Sequence, residues 1–332
     1  MKDSIVNELI TAMKDRLPPG QNLANFLTDT LCIGREAVYR RLRGEVAFTI
    51  DEVAQISCKL GISIDQIIGN HLYNRVTFDM NLLRSANAIE SYYEIIDRYL
   101  RIFDYVKGDK STEVCTASNV LPFTLYSSFE YLSKFRLCRW LYHHGQIKTP
   151  NSLYEMAVEE RIINVHKKLS DSVKNCPKTS FIWDMNIFVS FVKEVQYFAC
   201  LNLISKEDVL CLKEELYQLL IHMEALSITG EFSEGHKVFL YLSSIDFEAT
   251  YTYIEKSDFQ ISMLRVYSIN SMDSQSPRIC KMQRDWIQAL KRHSILISES
   301  GEAQRIDVIK MKRLYTIKVK ELANFARILL KD

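Results

Sequence analysis

The sequence predicts a mainly α-helical protein: a five-helix N-terminal domain, then a larger and mostly helical C-terminal domain with a small antiparallel sheet. Three observations lead there. Glycine and proline are scarce, at 10 and 6 in 332 residues, whereas all-β chains need frequent turns and use more of both. Apolar residues recur at helical spacing over most of the chain. Only near residues 237–268 does that pattern give way to β-branched and aromatic runs. The length is enough for two or more domains. The best boundary falls at His71–Thr77, giving domains at 1–72 and 73–332.

The N-terminal helices follow from spacing and stop signals. Ile5, Leu9 and Met13 lie on one helical face. Leu17-Pro18-Pro19-Gly20 ends that helix, because proline cannot continue it and disfavours helix in the residue before it. Leu23, Phe26, Leu27 and Leu31 mark a second helix, and the charged run Arg35–Arg43 a third, closed by Gly44. Thr49-Ile50-Asp51-Glu52 is a capping box with Phe48 and Val53 as its hydrophobic staple. Ser63-Ile64-Asp65-Gln66 repeats the arrangement with Ile62 and Ile67, and Gly61 between the two suits a left-handed C-terminal cap.

The third helix has two sides. Val38 and Leu42, four apart, point into the domain, while Glu36, Arg40 and Arg43 fall opposite with Tyr39 at the edge. Such an outer face suits the DNA major groove. Arginine grips guanine edges bidentately, glutamate accepts from cytosine, and tyrosine reaches a phosphate or stacks. Arg35 at the helix start and Gln21 before the second helix are candidates for phosphate contacts that position the domain.

These residues carry a resemblance. Leu23-Ala24, Ile33, Val38, Arg43-Gly44 and above all the run from Thr49 to Ile67 make this segment similar to the lambda-repressor-like helix-turn-helix domains, also called the Xre type. Cys32 stands where a glycine often ends the second helix, and Leu42 where an acidic residue is common. The resemblance implies a transcriptional regulator that binds double-stranded DNA. A homodimer is expected, because one short recognition helix reads few bases and two-fold pairing doubles the site. The alternative is a protein-interaction scaffold that uses this fold without DNA. Residues 1–74 are not basic overall, although Arg35, Arg40, Arg41 and Arg43 gather in one segment.

Beyond the boundary, helical patterns span Phe78–Val106, Leu125–Tyr142, Asn151–Val173, Phe181–Leu203 and Lys206–Ile228. Glu113–Thr116 reads as a short strand. Val238–Leu242, Ala249–Ile254 and Gln260–Ser268 read as the small sheet, with a hairpin turn at Lys256-Ser257-Asp258. Two helices finish the chain, from Pro277 to Arg292 and from Gly301 to Leu330.

Little else carries chemistry. No Walker loop, dinucleotide fingerprint, His-Glu-x-x-His or Gly-x-Ser-x-Gly motif is present, so neither an enzyme nor a cofactor is expected. The eight cysteines are dispersed without a Cys-x-x-Cys pair, which favours small buried apolar roles over a disulfide framework or zinc. His143-His144 reads as a helix-end feature rather than a metal site. Ser298–Glu302 reads as a helix cap, with anion binding as the functional option. From Arg278 onward basic residues dominate, chiefly as a solvated face, with a phosphate or acidic surface as the other possibility. Aromatics between Tyr92 and Tyr142 read first as core and second as the lining of a pocket for a small-molecule or peptide effector. No apolar run is long enough for a membrane helix and no signal-peptide core is present, so a cytoplasmic location is expected.

Overall fold

A computed structural model describes residues 2–18, 20–69, 76–80, 87–145 and 152–298. The chain divides into two units, residues 1–78 and 79–332.

The first unit holds α1 (Lys2–Arg16), α2 (Leu23–Leu31), α3 (Arg35–Leu42), α4 (Ile50–Leu60) and α5 (Ile64–Gly69). Leu9, Met13, Ala24, Leu27, Val38, Ile56 and Ile67 close one core to which every helix contributes. Asn22 caps α2, its side-chain oxygen accepting from the N–H groups of Ala24 at 2.9 Å and Asn25 at 3.3 Å. Cys32 ends α2 in the left-handed region at φ +53°, the conformation for which glycine is the low-cost residue. At α4 the capping box is closed. Glu52 N–H donates to Thr49 Oγ1 at 3.2 Å, and Thr49 N–H donates to Glu52 Oε2 at 2.9 Å. A cap of this kind contributes roughly 1 kcal/mol. Gly61 takes the left-handed C-cap at φ +64°. The second box read at Ser63 needs the Gln66 side chain, which lies outside the described residues.

The second unit begins with β1 (Asp79–Met80), α6 (Ala88–Val106) and β2 (Glu113–Ser118). Then come α7 (Phe123–Tyr126), α8 (Glu130–His143), α9 (Glu160–Lys174) and β3 (Lys178–Asp184). α10 (Ile187–Cys200), α11 (Lys206–Thr229), β4 (Glu231–Ser233) and β5 (His236–Ser243) follow. The described part closes with β6 (Tyr251–Lys256), β7 (Phe259–Val266), β8 (Asn270–Ser274), α12 (Pro277–Arg292) and β9 (Ser294–Leu296). The strands form one nine-stranded sheet in the order β1-β8-β7-β6-β2-β3-β5-β4, with β9 also on β5. β2, β3 and β5 are mutually parallel, and the other pairings are antiparallel.

This corrects the predicted fold class: the unit is built on a large mixed sheet, not a small antiparallel one near 237–268. The main reason is β3. Residues Thr179 to Asp184 are all buried, with Phe181 and Trp183 in one core and Ile182 in the other. A strand buried on both faces shows no apolar–polar alternation. Only Met185 and Asn186 separate it from α10, so the two read together as one helical run. β8, Asn-Ser-Met-Asp-Ser, has no β-branched residue and is a strand because β7 and β1 pair with it on either side. β1, β4 and β9 are two or three residues long.

Helix bounds shift as well. Phe78–Val106 contains β1 before α6, and Leu125–Tyr142 breaks into α7 and α8. Helix in Asn151–Val173 starts only at Glu160. The predicted helix at Gly301–Leu330 lies outside the described residues.

Successive strand residues serve opposite faces. On one face Val114, Phe181, Val238, Leu240, Ile254 and Met263 pack with helices α6 to α11 in the larger core. On the other, Cys115, Ala117, Ile182 and Tyr253 pack with Cys280, Ile287 and Leu290 of α12. Each core borders a shielded polar pair. Tyr92 OH lies 3.0 Å from His166 Nε2. Lys291 Nζ reaches Ser180 Oγ at 2.9 Å and Glu113 Oε1 at 3.3 Å.

Candidate nucleic-acid interface

The reading face predicted on α3 is held from behind. Val38 is buried in the first unit's core. Arg41 donates from Nε to Glu52 Oε2 at 2.9 Å, and its Nη2 lies 2.7 Å from Glu52 Oε1. This two-point pair joins α3 to α4, and both side chains are largely shielded. The Arg41 hydrogen bond is the main cause holding the Glu52 carboxyl below its ordinary range. Glu52 therefore caps α4 and orients α3 at once. The sequence reading found the cap but not the pairing, because Arg41 and Glu52 meet only when α3 and α4 pack.

The outward residues lie as follows. Tyr39 is exposed on α3. Arg35 donates through Nη2 to Asn25 Oδ1 on α2. Gln21 is exposed ahead of α2, its backbone N–H donating to Pro18 O at 3.1 Å. Arg40, Arg43 and Glu36 share the exposed side of α3, with Arg43 Nη2 3.3 Å from Glu36 Oε1. Glu45 joins them. Arg43 Nε sits 2.6 Å from Glu45 Oε1 and Arg40 Nε 3.5 Å from Glu45 Oε2. Hydrogen bonding from Arg43 holds the Glu45 carboxyl below its usual range. Glu45 was not among the predicted residues. The signal for it is an acid placed just past Gly44, whose φ of +76° turns the chain back over α3.

The two outward arginines of the predicted face, Arg40 and Arg43, are thus tied to carboxylates, while Arg41 joins α3 to α4. Exposed pairs of this kind contribute little to stability and exchange readily.

No protein-family model, curated protein or solved structure matches the chain. The functional reading therefore rests on the residues themselves.

Other sequence candidates resolve within the second unit. His143 ends α8 and His144 caps it, its Nδ1 2.8 Å from Trp140 O. No cluster among the described residues has the make-up of a metal site. All eight cysteines are free thiols, with Cys115, Cys138, Cys176 and Cys280 buried. Burial pushes the Cys138 and Cys176 thiols up to about 12, so neither is a ready nucleophile. Ser298 is buried and accepts from Leu240 N–H at 3.0 Å; the rest of the proposed anion loop lies outside the described residues. Among the described residues no helix is long and apolar enough to cross a membrane. Tyr92, Phe103, Phe123, Phe135 and Trp140 are core, and Phe103 and Phe123, with Tyr99, also line a cavity.

Proposed function

We propose that the protein is a sequence-specific DNA-binding transcriptional regulator that acts as a homodimer. In this reading residues 1–78 contact duplex DNA, and the sheet-based unit dimerises and receives an effector. The observation that carries it is α3. It is a short helix pinned by Val38 and the Arg41–Glu52 pair, presenting Glu36, Tyr39, Arg40 and Arg43 outward with Arg35 and Gln21 beside them.

Selection from random-sequence duplex at fixed salt tests the reading, because phosphate contacts make affinity salt-dependent. The expected product is a palindrome with half-sites about one helical turn apart. On that duplex Arg40→Ala or Arg43→Ala is expected to cost about 1–3 kcal/mol and to relax preference at the base it reads. Glu45→Gln acts the other way: it removes the carboxylate that Arg40 and Arg43 share, leaving Arg43 only its Glu36 contact, and is expected to tighten binding by roughly threefold to tenfold at low salt.

A second reading has an observation of its own. The carboxylates of Glu36 and Glu45 lie against the arginines, a mixed-charge face that also suits a protein partner. Failure to enrich any sequence, with Glu45→Gln no better, favours that reading.

The dimeric part rests on α11. Leu210, Tyr217, Ile221 and Ile228 are exposed on it and fall within one narrow stripe at 100° per residue. The expected result is that the parent sediments as a dimer and Tyr217→Glu/Ile221→Glu as a folded monomer. A parent that remains monomeric at tens of micromolar removes the dimer from the reading.

A further inference from the structure

Two arginines in the second unit, Arg136 buried and Arg265 partly buried, lack a counter-charge. Arg136 on α8 is 8% exposed. Its polar neighbours are uncharged: the Tyr126 hydroxyl, 3.4 Å from Nη1, and the Tyr92 hydroxyl; its Cζ lies 4.3 Å from the centre of the Phe123 ring, and its Nε is buried with no hydrogen-bond partner. Arg265 on β7 has neither an ion pair nor a side-chain hydrogen bond among the described residues. Burial, and next the charge of Arg136, pull Arg265 down to about 10. Buried charges are ordinarily paired, because removal from water is costly otherwise. Two like charges near one another raise that cost.

Both arginines line the same space. With Thr250 they border an inner cavity of about 90 Å³ and an outer one of about 250 Å³. The inner one is walled by Ile96, Phe103, Val114, Leu169, Phe181 and Met263. Hydroxyls from β2 and the start of β6 edge it, with Thr116 Oγ1 3.2 Å from Thr252 Oγ1 and Ser118 Oγ 3.1 Å from Thr250 Oγ1. The outer one also holds Arg139, Glu194 and Glu248. Arg139 is paired with Glu194 at 2.6 Å, and Glu248 is exposed. Neither carboxylate is within ion-pair distance of Arg136 or Arg265.

We propose that this two-chambered cavity binds a small organic anion: a carboxylate or phosphate head held by Arg136 and Arg265, and a short hydrocarbon body in the inner chamber. The head supplies the missing counter-charge, and guanidinium forks match its paired oxygens. The body displaces water from an apolar chamber smaller than the ~150 Å³ cavity known to hold benzene, which limits it to a few carbons. As a binding site the cavity stands alone; only its role as the effector site rests on the regulatory reading.

The test uses the full chain without DNA, so that it does not depend on operator binding. Butanoate, butyl phosphate, butanol, acetate and inorganic phosphate are titrated calorimetrically at constant ionic strength. The expected result is that butanoate or butyl phosphate binds at least tenfold tighter than butanol and than its own headgroup ion, and the better of the two names the head. Arg265→Met is expected to weaken that ligand at least tenfold and leave butanol unchanged, while Arg265→Lys recovers part of the loss. The partly buried Arg265 is varied, not the more deeply buried Arg136, so that folding is preserved, and thermal unfolding confirms it. Equal binding of butanol, full binding by Arg265→Met, or no binding of either butyl anion at millimolar concentration overturns the proposal. Anion binding that persists in a protein with no DNA affinity leaves the site intact and overturns only its regulatory role.

Discussion

Lowering the pH from 7 to 4 is expected to remove about 3 kcal/mol of stability from the parent that a His166→Gln variant keeps. His166 lies in α9, walled by Tyr92 and by Phe123, whose ring centre is 4.7 Å away. Burial, and then the positive charge of Arg136, push its pKa down to about 3. The ring is therefore neutral in the folded chain, sharing one hydrogen bond between Nε2 and the Tyr92 hydroxyl whose donor is set by the tautomer. In the unfolded chain it protonates near the ordinary histidine value of about 6.5. Between that value and about 3 the unfolded state binds a proton that the folded state refuses. Stability attributable to His166 is thus complete above about pH 7 and falls by about 1.4 kcal/mol per pH unit through the window. Glutamine offers Tyr92 both a donor and an acceptor but takes up no proton. Denaturant unfolding of both proteins at several pH values measures the difference, since acidic side chains common to both cancel. Parallel curves for the two would show that His166 does not titrate as its burial requires.

The second large effect is expected at Glu113. On the α12 side of the sheet its carboxylate lies 3.3 Å from Lys291 Nζ and 3.2 Å from Lys178 Nζ. The side chains of Glu113 and Lys291 are 18% and 11% exposed. Lys291 also approaches Ser180 Oγ and Cys115 Sγ, which do not neutralise it. Glu113→Gln leaves that ammonium buried without a counter-charge and is expected to cost about 3 kcal/mol, the lower end for a broken buried pair because some solvent reaches it. Lys291→Met costs less, because Lys178 still faces the carboxylate. The double variant Glu113→Leu/Lys291→Met is expected to regain most of the loss, since apolar groups of similar volume replace a buried pair at little cost. A double-mutant cycle of Glu113→Leu, Lys291→Met and the two combined, measured in denaturant, reads the coupling. Additive single losses would mean the two side chains are not coupled.

What the sequence made legible differs between the units. Signals that act within a few residues survive into the structure. Thr49 caps α4 and Gly61 closes it, α12 runs from Pro277 to Arg292, and the hairpin turns at Ser257-Asp258 between β6 and β7. Cys32 takes the left-handed cap a glycine would have announced. What stayed hidden depends on distant partners. β3 is a strand because β2 and β5 flank it, and β8 because β7 and β1 do; neither carries a period of its own. At the candidate site the outward residues of α3 followed from its periodicity. The Glu45 clamp required knowing the turn at Gly44, and the Arg41–Glu52 pair required the packing of α4. The unpaired arginines of the cavity were invisible, because an arginine's lack of a partner is a property of three-dimensional surroundings.

The placement of β2 has a consequence for how the chain is made. β2 stands between β3 and β6, and Ser118 on it meets Thr250, 132 residues further on. The helices of residues 1–78 close their core from neighbouring segments and can do so as they leave the ribosome. The sheet cannot, because long loops must close before its central strand has both partners. Until β6 has been translated, β2 carries an open row of amide and carbonyl groups, a template for strands of other chains. A ribosome that pauses between β3 and β6 therefore holds β2 with one edge unpaired, and slower elongation through residues 184–251 is expected to increase the fraction of chain lost to aggregation.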